Sequence, residues 1–361
     1  MNSKSADDRA SEKLKGICIL LIVIGHDRYF NLVWGSIFPL LYNFHVWAFF
    51  FIAATHNYRP LSSQRAKDLT VRYMVPNTVF VIVLSVIYYC LFLRKSTSLA
   101  AYAPTFFSGL FFQSAWAIDR ATGFQLYWFL PALCVYLLLL SMMLRLSPSI
   151  RLIAYAVLLA LHGCLGMLPE ETRDLIPFGL GAALYVLPLA IAVQFLASSP
   201  VMKTRPGRYG AILLFVAGTV LSLEMGTTVN LGFLYLYGYS HIFLMLMHDL
   251  IAVSGFFAVL MLAQATAGRF TWMDWIGRNS LYIFLTHKIF FEALWLGLPS
   301  THDAHKSSLF LLFVGIAAFV FSVALSLIFA MLVQKIPLIK RAVFPRNLEE
   351  WKCIFPRKAA I

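Results

Sequence analysis

Leu14-Lys15-Gly16-Ile17-Cys18-Ile19-Leu20-Leu21-Ile22-Val23-Ile24-Gly25-His26 is the stretch that decides the fold of this chain. A cation opens the run, a histidine closes it, and only apolar or small residues lie between. Eleven helical steps of about 100° put Lys15 and His26 on nearly one face, roughly 16 Å apart along the axis. A run of this kind belongs in lipid. There an ionisable side chain is costly and marks a functional path.

The rest of the chain has the same character. Its 361 residues are 60% hydrophobic, 16% aromatic and only 12% charged, with a mean hydropathy of +0.78. Soluble domains carry about a quarter charged residues, so a soluble protein is excluded. The apolar runs are long and continuous, which excludes the weak alternation of an outer-membrane barrel. The expected fold is all-α: one polytopic membrane domain over residues 1–361 with about ten transmembrane helices. These are read at about 15–34, 37–56, 72–93, 125–144, 151–168, 176–197, 209–224, 239–266, 278–298 and 307–334.

Net charge is +13. The placement of the cations makes this a statement about topology and lipid rather than nucleic acid. With the N-terminus in the cytoplasm and the loops assigned alternately, the inner segments take most of the 29 cations. They include Lys13 and Lys15, Arg59 to Arg72, Arg145 and Arg151, Lys203 to Arg208, Arg269 and Arg278, and the basic C-terminal segment. The positive-inside rule then places both ends in the cytoplasm. Residues 1–13 read as a polar, frayed tail, and 335–361 as a basic tail along the inner surface, facing anionic headgroups. The first apolar run ends in Gly25-His26-Asp27-Arg28 without a small-residue cleavage site, so it is expected to stay in the protein. The five cysteines lack metal-type spacing. Two stretches fit no span. Pro104 to Ile118 is too short and reads as re-entrant or interfacial. Glu224 to Ser240, rich in Gly and Tyr, reads as an outer interface loop.

Polar residues within this frame are the functional candidates. His26 is the natural general base, because its ordinary pKa lies near neutrality; a packed interhelical histidine is the competing reading. His45, in Asn43-Phe44-His45-Val46-Trp47, falls at a similar depth on the adjacent antiparallel helix. It reads either as a helper or as an interfacial anchor. Arg65, Lys67 and Arg72 suit phosphate groups or simple topology setting. Trp128, in Tyr127-Trp128-Phe129-Leu130-Pro131, reads as a belt residue or a sugar-stacking ring. Asp249 and Glu292 are carboxylates within helices and need partners, with His248, His287 and Lys288 as candidates. Gly277-Arg278-Asn279-Ser280-Leu281 starts a helix that carries His287 nine residues beyond Arg278.

Taken in order, these strings resemble the membrane acyltransferase-3 family, the O-acyltransferases of bacterial surface polysaccharides. The family's first helix has a basic residue, ten others, then histidine, here Lys15 to His26. Its second helix is similar to Phe44-His45-Val46-Trp47-Ala48-Phe49-Phe50-Phe51. Its loop arginines before a proline resemble Arg72 and Pro76, its Trp-Phe-Leu-Pro string Trp128 to Pro131, and its late helix ending in histidine Gly277 to His287. The chain departs from the pattern at Ala53-Ala54-Thr55-His56-Asn57-Tyr58, where serine-glycine-tyrosine is usual, and at Leu69, where a paired arginine is usual.

The resemblance implies transfer of an acetyl or other acyl group from acetyl-CoA to a sugar hydroxyl at the bacterial inner membrane. His26 would be the base and His45 its helper. Lys15, Arg65, Lys67, Arg72 and Arg278 would hold the donor, and Trp128, Asn279 and His287 the acceptor. No permanently bound cofactor and no metal are implied. The partners would be acetyl-CoA, a glycan or lipid-linked sugar, membrane lipids and polysaccharide-assembly proteins. The rival readings are a transporter or flippase of a glycan or small molecule and an O-acyltransferase of a small non-glycan acceptor.

Overall fold

The computed structural model describes residues 6–35, 41, 44–56, 59–165, 176–225, 242–297 and 308–354. It is helical throughout, with no strand among the described residues. In chain order the helices are α1 (Ala6–Gly25), α2 (Arg28–Trp34), α3 (His45–His56), α4 (Ser63–Tyr88), α5 (Leu99–Phe112), α6 (Ala115–Thr122), α7 (Phe129–Met143), α8 (Pro148–Leu165), α9 (Leu180–Ser198), α10 (Arg205–Glu224), α11 (Ile242–Ala265), α12 (Thr271–Arg278), α13 (Ser280–Gly297), α14 (Ser308–Lys335), α15 (Pro337–Val343) and α16 (Leu348–Lys352).

Six stretches are long and apolar enough to cross a membrane: Ser63–Leu93, Gln125–Met143, Pro177–Ser198, Arg205–Glu224, Phe243–Ala265 and Ser308–Lys335. Large apolar side chains such as Leu213, Val216, Phe313 and Val320 point outward from them. In water this would be a liability; against lipid it is the expected surface. The protein is a multi-pass membrane protein. The other four of the ten spans read in the sequence take different forms. The first is a bent pair, Arg9–Gly25 and Arg28–Trp34, meeting at 79°. His45–Thr55 and Pro148–Leu161 are shorter apolar helices. The last of the four is α13, 18 residues long and carrying Lys288 and Glu292. Pro104 to Ile118 is broken at Gln113-Ser114, where Gln113 adopts a left-handed conformation that ends α5 before α6 begins. Most of Glu224 to Ser240 lies outside the described residues.

The chain packs into two compact units. The unit formed by residues 56–191, 230–242 and 333–361 is organised by polar pins between apolar helices. Asn77 Nδ2 donates to Gln113 Oε1 at 3.0 Å, and Gln113 Nε2 donates to Thr78 Oγ1 at 3.2 Å. Arg65 Nε donates to Ser141 Oγ at 3.1 Å. Arg151 reaches the carbonyls of Met143, Leu144 and Leu146, capping the end of α7 with a cation where the helix dipole favours one.

The unit formed by residues 1–55, 192–229 and 243–332 is built on α1. Leu14, Cys18, Ile19, Ile22 and Val23 form its buried stripe, the three-to-four spacing of an amphipathic helix. α1 crosses α12 with the two backbones in contact. A Cβ on Gly277 would overlap the carbonyl oxygen of Glu12, and one on Gly16 would overlap that of Met273. Without a hydrophobic drive between helices in lipid, small residues that admit close approach define such a contact.

Residues 6–13 are helical rather than frayed. α1 starts at Ala6, and Lys13 is fully buried. Its ammonium donates to the carbonyls of Thr266 and Arg269, just beyond the end of α11, and lies 3.9 Å from Asp274 Oδ1. Lys15, which the sequence singled out, is half-exposed and pairs with Glu12 at 3.7 Å. The difference comes from the turn between α11 and α12 and from α12 itself, whose carbonyls and carboxylate meet the face that carries Lys13.

Gly277→Ala is expected to lower stability by at least the ~1–3 kcal/mol typical of overpacking, whereas Gly210→Ala, with open space at its Cβ, leaves it unchanged. Lys13→Ala strands Asp274 and two carbonyls and is expected to cost ~3–5 kcal/mol, against well under ~1 for Lys15→Ala. Thermal unfolding of the detergent-solubilised variants measures both contrasts.

Candidate active site

Helix α1 stops at Gly25 for a local reason. Asp27 adopts extended backbone and its Oδ1 accepts from the backbone N–H of Tyr29 at 2.8 Å and of Phe30 at 3.2 Å. A short carboxylate that captures the next turn's free N–H groups starts a new helix rather than continuing the old one. His26 therefore sits at the break, half-buried, held by backbone bonds to Ile22 and Val23.

The structure brings His26 to His287. His287 Nε2 lies 3.2 Å from His26 Nδ1, with ring centroids 5.1 Å apart and planes tilted by 48°. Each ring also places Nδ1 on the carbonyl one turn back in its own helix: His26 on Ile22 at 2.9 Å, His287 on Ile283 at 2.8 Å. A carbonyl only accepts, so the hydrogen-bond network assigns the proton of both neutral rings to Nδ1. The His26 Nδ1–H is then shared between the Ile22 carbonyl and His287 Nε2, and His26 Nε2 keeps a free lone pair. His287 is fully buried, and its own carbonyl accepts from Ser322 Oγ at 2.8 Å. Its ring packs edge-on to Phe291.

A charged cluster flanks this pair. Arg28 Nη2 donates to both oxygens of Glu292, at 3.1 and 3.2 Å, and Lys288 Nζ lies 3.2 Å from Glu292 Oε1. Both cations also lie over Trp295, the Arg28 guanidinium 4.2 Å and the Lys288 ammonium 4.6 Å from the ring centroid. Lys288, Glu292 and Trp295 are spaced four and three apart, one face of α13. Glu292, which the sequence left in search of a partner, thus has two. Asp27, Arg28 and Trp295 escaped the sequence reading. The acid directly after a glycine-histidine pair, in N-cap position for the next helix, was the available signal.

The remaining sequence candidates are placed as follows. His45 is fully buried at the start of α3, its Nδ1 donating to the Leu41 carbonyl. Asn279 joins α12 to α13 and donates Nδ2 to the Trp275 carbonyl at 2.9 Å. Arg278, one residue earlier, is exposed. Trp128 is buried edge-on to Phe129, so its ring faces protein. Arg65 and Arg72 are seven apart on α4 and share a face, with Lys67 and Arg72 exposed.

A family model described as an acyltransferase domain matches residues 10–333. No curated protein and no solved structure matches the chain. Nitrogen NMR of the histidine-labelled protein is expected to show Nδ1 protonated and Nε2 unprotonated on both His26 and His287. Replacing His287 with phenylalanine should change the His26 spectrum and leave that of His248 unaltered.

Proposed function

Since the chain belongs to the membrane acyltransferase-3 family, we propose that it transfers an acetyl group from cytoplasmic acetyl-CoA to a hydroxyl of a sugar. The sugar is a unit of an exopolysaccharide, O-antigen or lipid-linked oligosaccharide at the bacterial inner membrane. The proposal includes the ten-span topology with both ends cytoplasmic that the cation distribution favours. The observation that carries it is the His26–His287 pair, which leaves the Nε2 of His26 without a partner among the described residues and open to act as a base.

In this reading His26 Nε2 takes the proton of the acceptor hydroxyl as its oxygen attacks the thioester carbonyl. The carbon–oxygen bond forms, the carbon–sulfur bond breaks, and the proton passes to the departing thiolate. The imidazolium formed in between directs its Nδ1–H at His287 Nε2, a lone pair that orients the ring and stabilises its charge. His287 is thus a positioning residue rather than an acceptor contact. His45 serves the acceptor side. The donor's phosphates call for cations with fork geometry. Lys15 and Arg278, in the unit that carries His26, are the groups assigned to them. No resident metal or cofactor enters the scheme.

A second reading has one observation behind it. The 79° break within the first span, with polar groups at the break, is the kind of discontinuous helix that transporters use at substrate sites. The two part company on one measurement, transfer of labelled acetyl from acetyl-CoA to glycan in isolated membranes. His26→Ala is expected to lower that transfer by ~100-fold or more, at normal protein abundance. His287→Ala is expected to lower kcat by a smaller factor while leaving the donor KM in place. Full transfer by His26→Ala would sink the assignment of the base.

A further inference from the structure

Among the described residues, two buried polar atoms of the helix break and of α13 have no hydrogen-bond partner. Asp27 is fully buried, and while its Oδ1 caps α2, its Oδ2 has no donor among the described residues. Trp295 Nε1, in the cluster that Arg28 joins to Glu292, is likewise buried without an acceptor. An unmet carboxylate oxygen inside a protein is costly and calls for a reason. Capping alone does not supply one, because capping uses only the other oxygen.

The chemistry of the two atoms defines what would satisfy them. One accepts and one donates, and a hydroxyl does both. The faces of the Trp295 ring are occupied: Phe291 stacks at 5.3 Å and 11°, and Arg28 and Lys288 lie at 4.2 and 4.6 Å. The ring therefore offers its N–H edge and not a stacking platform. The local charges also balance, Arg28 and Lys288 against Asp27 and Glu292, so the cluster suits a neutral ligand rather than an anionic one. Asp27 follows His26 directly in the chain, and Lys288 follows His287, so a ligand held here has the base beside it.

We propose that Asp27 and Trp295 form a polyol subsite that grips hydroxyls next to the one being acylated. Asp27 Oδ2 accepts from a neighbouring hydroxyl, and Trp295 Nε1–H donates to a ring or hydroxyl oxygen. The Arg28–Glu292–Lys288 network holds the tryptophan edge in place. The inference rests on the acyl-transfer reading above and adds to it that a vicinal diol, the hallmark of a sugar, is selected over a monohydric alcohol. Sites built to hydrogen-bond a hydroxyl reject analogues without it, because their own polar groups are then stranded.

The test uses the full chain in lipid nanodiscs and a panel of methyl glycosides, with cyclohexanol as the monohydric control. Binding is read by saturation-transfer NMR, and acetyl transfer by acceptor and donor KM. The wild-type protein and His26→Ala are expected to bind at least one glycoside and to ignore cyclohexanol. Asp27→Asn keeps an oxygen for the helix cap. It is expected to weaken glycoside binding and raise acceptor KM at least tenfold, with donor KM and melting temperature in place. Trp295→Phe, which keeps the ring and loses the N–H, should move binding in the same direction. Unaltered glycoside binding by both variants, or no glycoside bound by the wild-type protein, overturns the subsite. Full acetyl transfer by His26→Ala overturns the assignment of the base instead, and the binding pattern then judges the subsite alone.

Discussion

The contact between the backbones of Gly16 and Gly277 governs the arrangement of the histidine pair. In lipid, helices gain little from hiding apolar side chains, so close approach and matched shape decide which faces meet. Here the approach is so close that neither position has room for a methyl group. His26 lies ten residues beyond Gly16, and His287 ten residues beyond Gly277. Two segments running the same way from a shared contact carry their tenth residues to the same level, ~15 Å further on. Equal spacing thus turns a packing contact at one end into a histidine pair at the other.

The choice of partner for His26 also fits its surroundings. A carboxylate against the imidazole would bring a buried charge that has to be compensated. A second neutral imidazole orients the first through one lone pair and adds no charge at rest. The charges that do occur are gathered beside the helix break, where Arg28, Lys288 and Glu292 satisfy one another. The histidine pair therefore adds no charge of its own and the charges beside it are paired, with Asp27 at the boundary between the two.

Much of this was readable in the residues. The all-helical membrane fold and the family follow from apolar run length and from the order of a few strings, which also single out His26 and His287 as candidates. The errors share one cause: a single helix reports its own periodicity and nothing of its neighbours. Lys15 shares a face with His26 and drew attention, whereas Lys13 points elsewhere and reads as a solvated tail residue. Only the carbonyls of Thr266 and Arg269 and the Asp274 carboxylate, more than 250 residues away, make it a buried anchor. His45 looked like the partner of His26 because short-linked helices are neighbours. The structure adds His287 at hydrogen-bond distance from His26, because Gly277 fits Gly16. The first span read as straight because Asp27 was counted as flanking polarity, when its side chain competes for the N–H groups that would have continued the helix.

The same buried lysine bears on the order in which the protein comes into being. Lys13 leaves the ribosome well before the carbonyls that accept its hydrogen bonds, which follow 253 and 256 residues later. At ~5–20 residues per second, that interval is on the order of 10–50 s. Through all of it the ammonium has to remain in water or among headgroups, with the start of α1 outside its final seat. Helix α1 therefore reaches its final seat only after α11 and α12 have been made, and the pairing of His26 with His287 waits for α13.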